Sequence, residues 1–294
     1  MRLATIEYGG VEKAVVVEED IVYPLNAIND TTGQQWPEDL YELIQPPTFS
    51  SFRKWWQEQT IELKSKMNVV ETPSYRPLYR HPRKIWGIGL NYTDHASDLD
   101  EKAPGTEPAS FMKPDTTIIG AGDSILLPLL SDRTTGEAEL GVIIGETCKD
   151  VTREDAAKVI AGYTTIIDMT AEDILKRNPR FLTRSKSFDT FFSFGPQLFT
   201  PDEIDHVLNL NVTTKINGRV HRSNKVDNMT FDPYELVAFH SQVMTLLPGD
   251  IISTGTPGAV VLRDGDVVEC EIDGFPNLIN PVEDLKADRE DEVE

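Results

Sequence analysis

Hydrophobic and polar positions alternate most clearly along Gly136-Glu137-Ala138-Glu139-Leu140-Gly141-Val142-Ile143-Ile144-Gly145. At the two-residue period of a strand, Ala138, Leu140, Val142 and Ile144 share one face, and Glu137 and Glu139 share the other. A second apolar run, Gly162-Tyr163-Thr164-Thr165-Ile166-Ile167-Asp168, reads as a strand that ends on a carboxylate. Short β-type runs fill residues 2–24 around a Gly9-Gly10 turn. Phe52, Trp56, Leu63 and Met67, broadened by Trp55, keep helical spacing over residues 50–67 and predict a helix docked on a core. Residues 71–83 carry Pro73, Pro77 and Pro82 without periodicity and read as a connector.

Beyond the connector, a strand at 84–90 runs into Asn91-Tyr92-Thr93-Asp94-His95-Ala96-Ser97-Asp98, and residues 100–117 read as a loop. Strand signals follow at 118–119 and 124–128. Thr152-Arg153-Glu154-Asp155 predicts a helix to about Ala161, and Thr170-Ala171-Glu172-Asp173 a short one after Asp168. Residues 207–216 and 219–221 flank Asn217-Gly218 as a β-hairpin. Asp232-Pro233 opens a helix whose stripe is Leu236, Val237, His240, Val243, Met244 and Leu247. Strands at 250–254 and 267–272 close the chain. Strands outnumber helices without regular βαβ alternation, so the class is α+β and β-rich. The expected division is a small α+β domain at 1–70, the connector at 71–83, a main domain at 84–282 and an acidic tail at 283–294.

Composition narrows the function. The formal net charge of −21 argues against a nucleic-acid partner, because phosphate neutralisation needs clustered Lys and Arg. No apolar run approaches the roughly 20 residues needed to cross a bilayer, and the N-terminus reads as a strand rather than a signal peptide. Two cysteines, Cys148 and Cys270, offer no disulfide framework, so the expectation is a cytoplasmic protein with reduced thiols.

Glu137 and Glu139, side by side on one strand face, repel each other unless a positive charge lies between them. A divalent cation meets that need, and Asp168 can bring a third oxygen to it. Such a donor set suits a hard ion such as Mg²⁺ or Mn²⁺. The competing reading is the solvated face of a half-exposed strand. Among five histidines, His95 has Asp98 three residues on, which on a helix lets the acid orient the imidazole as a base. His240 lies on an apolar stripe and reads as a packed core residue. Lys186 can neutralise an oxyanion or a substrate carboxylate. Gly87-Ile88-Gly89 lacks the third glycine and the acidic partner of a dinucleotide fingerprint.

Taken together, Gly89-Leu90-Asn91-Tyr92-x-Asp94-His95-Ala96, Phe111-x-Lys113-Pro114, Glu137-x-Glu139-Leu140, Asp168-x-Thr170-Ala171-x-Asp173, Lys186-Ser187-Phe188-Asp189, Pro248-Gly249-Asp250-Ile251-Ile252 and Thr254-Gly255-Thr256-Pro257, in this order, resemble the fumarylacetoacetate hydrolase family. The resemblance implies a catalytic domain of mixed β-sandwich or β-roll type behind a small N-terminal domain, a homodimer, and Mg²⁺ or Mn²⁺ held by Glu137, Glu139 and Asp168. It also implies His95 and Asp98 as the catalytic pair, with Lys186 and Thr256 at the substrate. The implied activity is hydrolysis of a C–C bond in a 2,4-diketo acid of the acylpyruvate type. Oxaloacetate decarboxylation, isomerase or lyase action on a related 2-oxo or 2-hydroxy acid, and an inactive 2-oxo-acid binder are the rivals. The chain departs from the family pattern at Asp98, usually Glu; at Glu172, often Arg; at Leu175, often Gln; and at Gly258-Ala259-Val260, where Gly-Val-Gly is usual.

Overall fold

Strand Thr134–Ile144 pairs antiparallel with Ile160–Ala171 along nearly its whole length, with Glu137 opposite Asp168. The structure, a computed structural model, describes residues 1–92 and 105–287. Among these residues, one large sheet runs in the order Ile21–Pro24, Val11–Glu18, Arg2–Tyr8, Phe192–Phe199, Ile160–Ala171, Thr134–Ile144, Ile251–Ser253, Ile85–Gly89 and Ala109–Lys113. Its N-terminal strand joins directly to Phe192–Phe199 through the pairs Arg2–Phe199, Leu3–Leu198 and Ala4–Gln197. The first residues of the chain thus complete the sheet that carries Glu137 and Asp168.

A second sheet runs Arg219–Lys225, Asn211–Ile216, Val267–Ile272, Leu278–Asp284 and Ile125–Leu127. The apolar face read from the Glu-bearing strand packs toward it: Ala138, Leu140, Val142 and Ile144 are fully buried in one cluster with Val212, Val268, Ile272 and Leu278. The opposite face changes character along its length. At one end Ile143 and Ile166 join a second cluster with Phe52 and Trp56 of helix Thr48–Gln57. Toward the other end the positions on that face become Glu139, Glu137 and Thr135. The sheet is therefore covered by the apolar faces of helices at one end and lined by carboxylates at the other. The architecture is a β-rich α+β fold of mixed sheets.

Several local expectations are corrected. Residues 152–161 form no α-helix; a 3₁₀ turn at Ala156–Val159 leads into the strand at Ile160, because the two-sided ladder claims the residues from there on. The helical stripe of 50–67 breaks into Thr48–Gln57 and the short turn Ile61–Lys64, which Thr60 caps anew. Its packing face holds nonetheless, with Phe52, Trp56 and Met67 buried. Part of the expected loop at 100–117 is strand Ala109–Lys113, on Ile85–Gly89. The hairpin forms with Asn217 and Gly218 both at positive φ (51° and 72°), as a type I′ turn requires, but its first strand starts at Asn211. Helix Pro233–Val243 carries the capping box of Asp232 and Glu235. It ends at Val243, which is exposed, so the buried part of the expected stripe is Leu236, Val237 and His240. No helix among the described residues is long and apolar enough to cross a membrane.

Candidate active site

Glu137 and Glu139 lie two residues apart on one strand, and Asp168 faces Glu137 across the ladder, so strand period and register alone bring three carboxylates to one face. One oxygen from each lies within 4.8 Å of the others. Glu139 is 1% and Asp168 0% exposed, which overturns the reading of a solvated strand face.

Each carboxylate is held from outside the cluster. Oε2 of Glu139 accepts from the Ser253 hydroxyl (2.5 Å) and the Gly255 N–H (2.7 Å), both on the segment that ends strand Ile251–Ser253. Oε1 of Glu137 accepts from the Thr170 hydroxyl at 2.8 Å. Asp168 lies between two buried ammonium groups, with Lys113 on Oδ1 and Lys186 on Oδ2 at 2.6 Å. Lys186 also reaches Oε2 of Glu137 at 3.2 Å, and its Nζ sits 4.6 Å from the centroid of the Phe111 ring. It is the last residue of the short helix Leu182–Lys186, which brings it back over the sheet after Asp168.

The electrostatics follow from this arrangement. Burial, then the neighbouring Asp168 and Glu137 charges, push the Glu139 carboxyl up to about 8. Burial works against the Asp168 carboxylate too, but Lys113 and Lys186 outweigh it and hold that group below the usual range. Lys113, fully buried, is pushed down to about 8 by desolvation, which Asp168 offsets in part and Lys186 reinforces. Lys186 pays a desolvation penalty, yet Asp168, Glu137 and Glu139 together raise its pKa and keep it charged. With all three carboxylates ionised, as metal ligation requires, they face two ammonium groups and leave one negative charge, and burial makes Glu139 the carboxyl that resists that ionisation. An all-oxygen donor set of this kind fits a hard dication. With a dication added, the site would have one positive charge left for a monoanionic ligand.

The family model for fumarylacetoacetate (FAA) hydrolase C-terminal matches residues 84–283. The chain belongs to the fumarylacetoacetate hydrolase family. Over 210 residues it is 46% identical to an uncharacterized protein of Archaeoglobus fulgidus, covering 71% of this chain and 81% of that one. It is 37% identical over 209 residues to the mitochondrial oxaloacetate tautomerase Fahd2a of Rattus norvegicus, covering 68% of this chain and 66% of the relative. Maleylpyruvate hydrolase from Sphingobium sp. SYK-6, solved with manganese(II) and pyruvate, matches with a TM-score of 0.78 at 29% identity. That match covers 97% of this chain and 99% of the hydrolase.

Of the residues singled out in the sequence, the structure brings Glu137, Glu139, Asp168 and Lys186 together. Thr256 is buried one residue beyond Gly255, and its hydroxyl bonds within its own turn, to the Gly258 N–H at 3.2 Å and the Gly258 carbonyl at 3.3 Å. His95 and Asp98 lie outside the described residues. Glu172, the acid at a position where the family often has Arg, is bound by Arg133 and Lys176. Three residues at the carboxylates went unassigned in the sequence: Lys113, Ser253 and Thr170. Lys113 stood in the Phe111-x-Lys113-Pro114 motif, but nothing local indicates that a lysine after a Pro- and Gly-rich stretch ends an edge strand with its own side chain buried. His240 is the core histidine expected, with Nδ1 on the Leu236 carbonyl (2.7 Å) and its ring 4.7 Å from that of Trp86.

Proposed function

We propose that this protein is a divalent-metal-dependent hydrolase that cleaves a C–C bond of a 2,4-diketo acid of the acylpyruvate type. The observation that carries the reading is the buried Glu137–Glu139–Asp168 cluster with Lys186 bonded to two of its members. Glu137, Glu139 and Asp168 would hold Mg²⁺ or Mn²⁺. A bound dication would supply a Lewis acid for the carboxylate and ketone oxygens of a 2-oxo acid.

The chain's own residues do the rest. Ser253 and the Gly255 N–H fix the orientation of Glu139, and Lys113 keeps Asp168 ionised. Lys186, charged and buried, stabilises negative charge as it develops on substrate oxygen, first when water adds to the distal carbonyl and then on the enolate that departs as pyruvate. His95, with Asp98, takes the proton from the attacking water. The distal fragment leaves as a carboxylic acid, and protonation of the enolate carbon completes pyruvate. No covalent enzyme intermediate is required.

The second reading, oxaloacetate tautomerisation or decarboxylation, is favoured by the 37% identity to a relative of the first activity. It uses the same enolate stabilisation without an attacking water, and Leu175 in place of Gln suits a shorter substrate tail. Loss of acetylpyruvate and loss of enol-oxaloacetate absorbance, followed side by side with wild type and His95→Ala, separate the two. Hydrolysis that collapses in His95→Ala supports the first reading. Acceleration of enol loss with no loss of acetylpyruvate replaces it with the second.

A further inference from the structure

Asn91 is 1% exposed and stands two residues beyond the end of strand Ile85–Gly89. All the bonds of its carboxamide run to other parts of the chain. Nδ2 donates to the Thr254 carbonyl (2.8 Å) and the Phe231 carbonyl (2.9 Å), and Oδ1 accepts from the Phe231 N–H (2.9 Å). The Asn91 carbonyl accepts from the Thr230 N–H at 2.7 Å. One side chain therefore joins the strand exit, the segment before helix Pro233–Val243, and the Ser253–Gly255 segment.

That last segment is the one that holds Glu139. Ser253 and Gly255 bond the Glu139 carboxylate, while the Thr254 N–H and hydroxyl both bond the Leu140 carbonyl. Gly255 is at φ +96°, and a Cβ there would come within 2.8 Å of Asn91 Cβ, so the Gly255 backbone lies close against the Asn91 side chain. Turning the Thr254 peptide would move the Gly255 N–H away from Glu139, and the Asn91 amide is what grips that peptide from the outer side. In sequence, Asn91 also precedes His95 by four residues.

We propose that Asn91 is a positioning residue for the metal centre: its carboxamide locks the Thr254–Gly255 peptide so that Glu139 is held in its liganding orientation. The inference rests on the reading of Glu137, Glu139 and Asp168 as metal ligands. Partners that orient a ligating carboxylate control metal affinity without touching the metal.

The test is Mn²⁺ binding to the full chain, with free Mn²⁺ read by electron paramagnetic resonance, for wild type, Asn91→Ala and Asn280→Ala. Asn280 is an internal reference: it is fully buried and makes the same bonding pattern, donating to the Gly120 carbonyl (2.7 Å) and Asp123 carbonyl (2.8 Å) and accepting from Ser193 (2.8 Å). None of its partners bonds a member of the carboxylate cluster, and Ser193 pairs with Ile167, on the sheet face opposite to that of Asp168. Both substitutions should lower Tm, but only Asn91→Ala should weaken Mn²⁺ binding, by about 10- to 100-fold. Equal Mn²⁺ affinities in the two variants would overturn the proposal. Where Asn91→Ala does not fold, Asn91→Ser, which keeps one donor, is judged by the same comparison. Ser253→Ala, which removes a direct bond to Glu139, separates the two levels of inference. If it weakens Mn²⁺ binding while the Asn91 variants do not, the site stands and the positioning role fails. If wild type binds no Mn²⁺, the site itself fails, and the role of Asn91 with it.

Discussion

Lys186 Nζ lies 2.6 Å from Asp168 Oδ2 although both side chains are almost completely buried, and they are 18 positions apart in the chain. A short helical excursion separates them, and its last residue returns the ammonium group to the strand that carries Asp168. The pair places a fixed positive charge beside the carboxylate cluster. Lys186→Met keeps the length and apolar stem while removing that charge, and should lower kcat by about 10²- to 10³-fold, the range for loss of one oxyanion-stabilising group. Steady-state kinetics on the accepted 2-oxo acid check this. A loss confined to KM would assign Lys186 to ground-state binding instead.

The Lys186 ammonium rests on the Phe111 ring, and that ring occupies the space a side chain at position 87 would need. A Cβ on Gly87 would fall 2.2 Å from Phe111 Cζ. Gly87→Ala should therefore cost about 1–3 kcal/mol as an overpacking substitution. It should also lower activity by displacing Phe111 and, through it, Lys186. Urea unfolding and kcat measured together distinguish this coupling from simple destabilisation, in which activity at low temperature would be unchanged.

Metal should stabilise the fold through the same cluster. Mn²⁺ at about 100 times its Kd should add about 2.7 kcal/mol to unfolding stability. Glu139→Gln removes the carboxylate that burial and like charge disfavour most, so the metal-free variant should be at least as stable as metal-free wild type. It should then show little rise in Tm with Mn²⁺. Equal Mn²⁺-induced shifts in both proteins would remove Glu139 from the donor set.

His240 contributes a pH dependence of stability away from the site. Its imidazole is fully buried, and desolvation lowers its pKa from 6.5, with the bond to the Leu236 carbonyl opposing that in part. A group whose folded pKa is depressed binds its proton less readily in the fold than in the unfolded chain. Its contribution is therefore fully present above about pH 6.5 and is lost as pH falls toward the folded pKa. His240→Gln should flatten Tm between pH 5 and 7 relative to wild type. An unchanged slope would locate the acid sensitivity in other groups.

The sequence was most informative where one local period decides the outcome. Alternation along 136–145 predicted both the core face of Ala138, Leu140, Val142 and Ile144 and the shared face of Glu137 and Glu139, and the ladder confirms it. Asp232-Pro233 and Asn217-Gly218 mark their helix start and hairpin turn because capping and positive φ are local demands. Residues whose role depends on the chain folding back were not legible. Lys113 reaches Asp168 across 55 positions and Ser253 reaches Glu139 across 114, and no spacing rule encodes such contacts. The helix expected at 152–161 failed for a related reason: its caps were local, but the pairing that begins at Ile160 was not. The departure at Glu172 became interpretable only in three dimensions, where Arg133 and Lys176 neutralise the acid.

The most direct test of the central claim is pyruvate release from acetylpyruvate by the purified protein, before and after chelation and again after Mn²⁺ is restored. The proposed hydrolase should release pyruvate, stop on chelation and recover with Mn²⁺, and Glu139→Gln should be inactive throughout. Pyruvate release that persists in chelator, or in Glu139→Gln with Mn²⁺, would contradict a metal-dependent reaction at Glu137, Glu139 and Asp168.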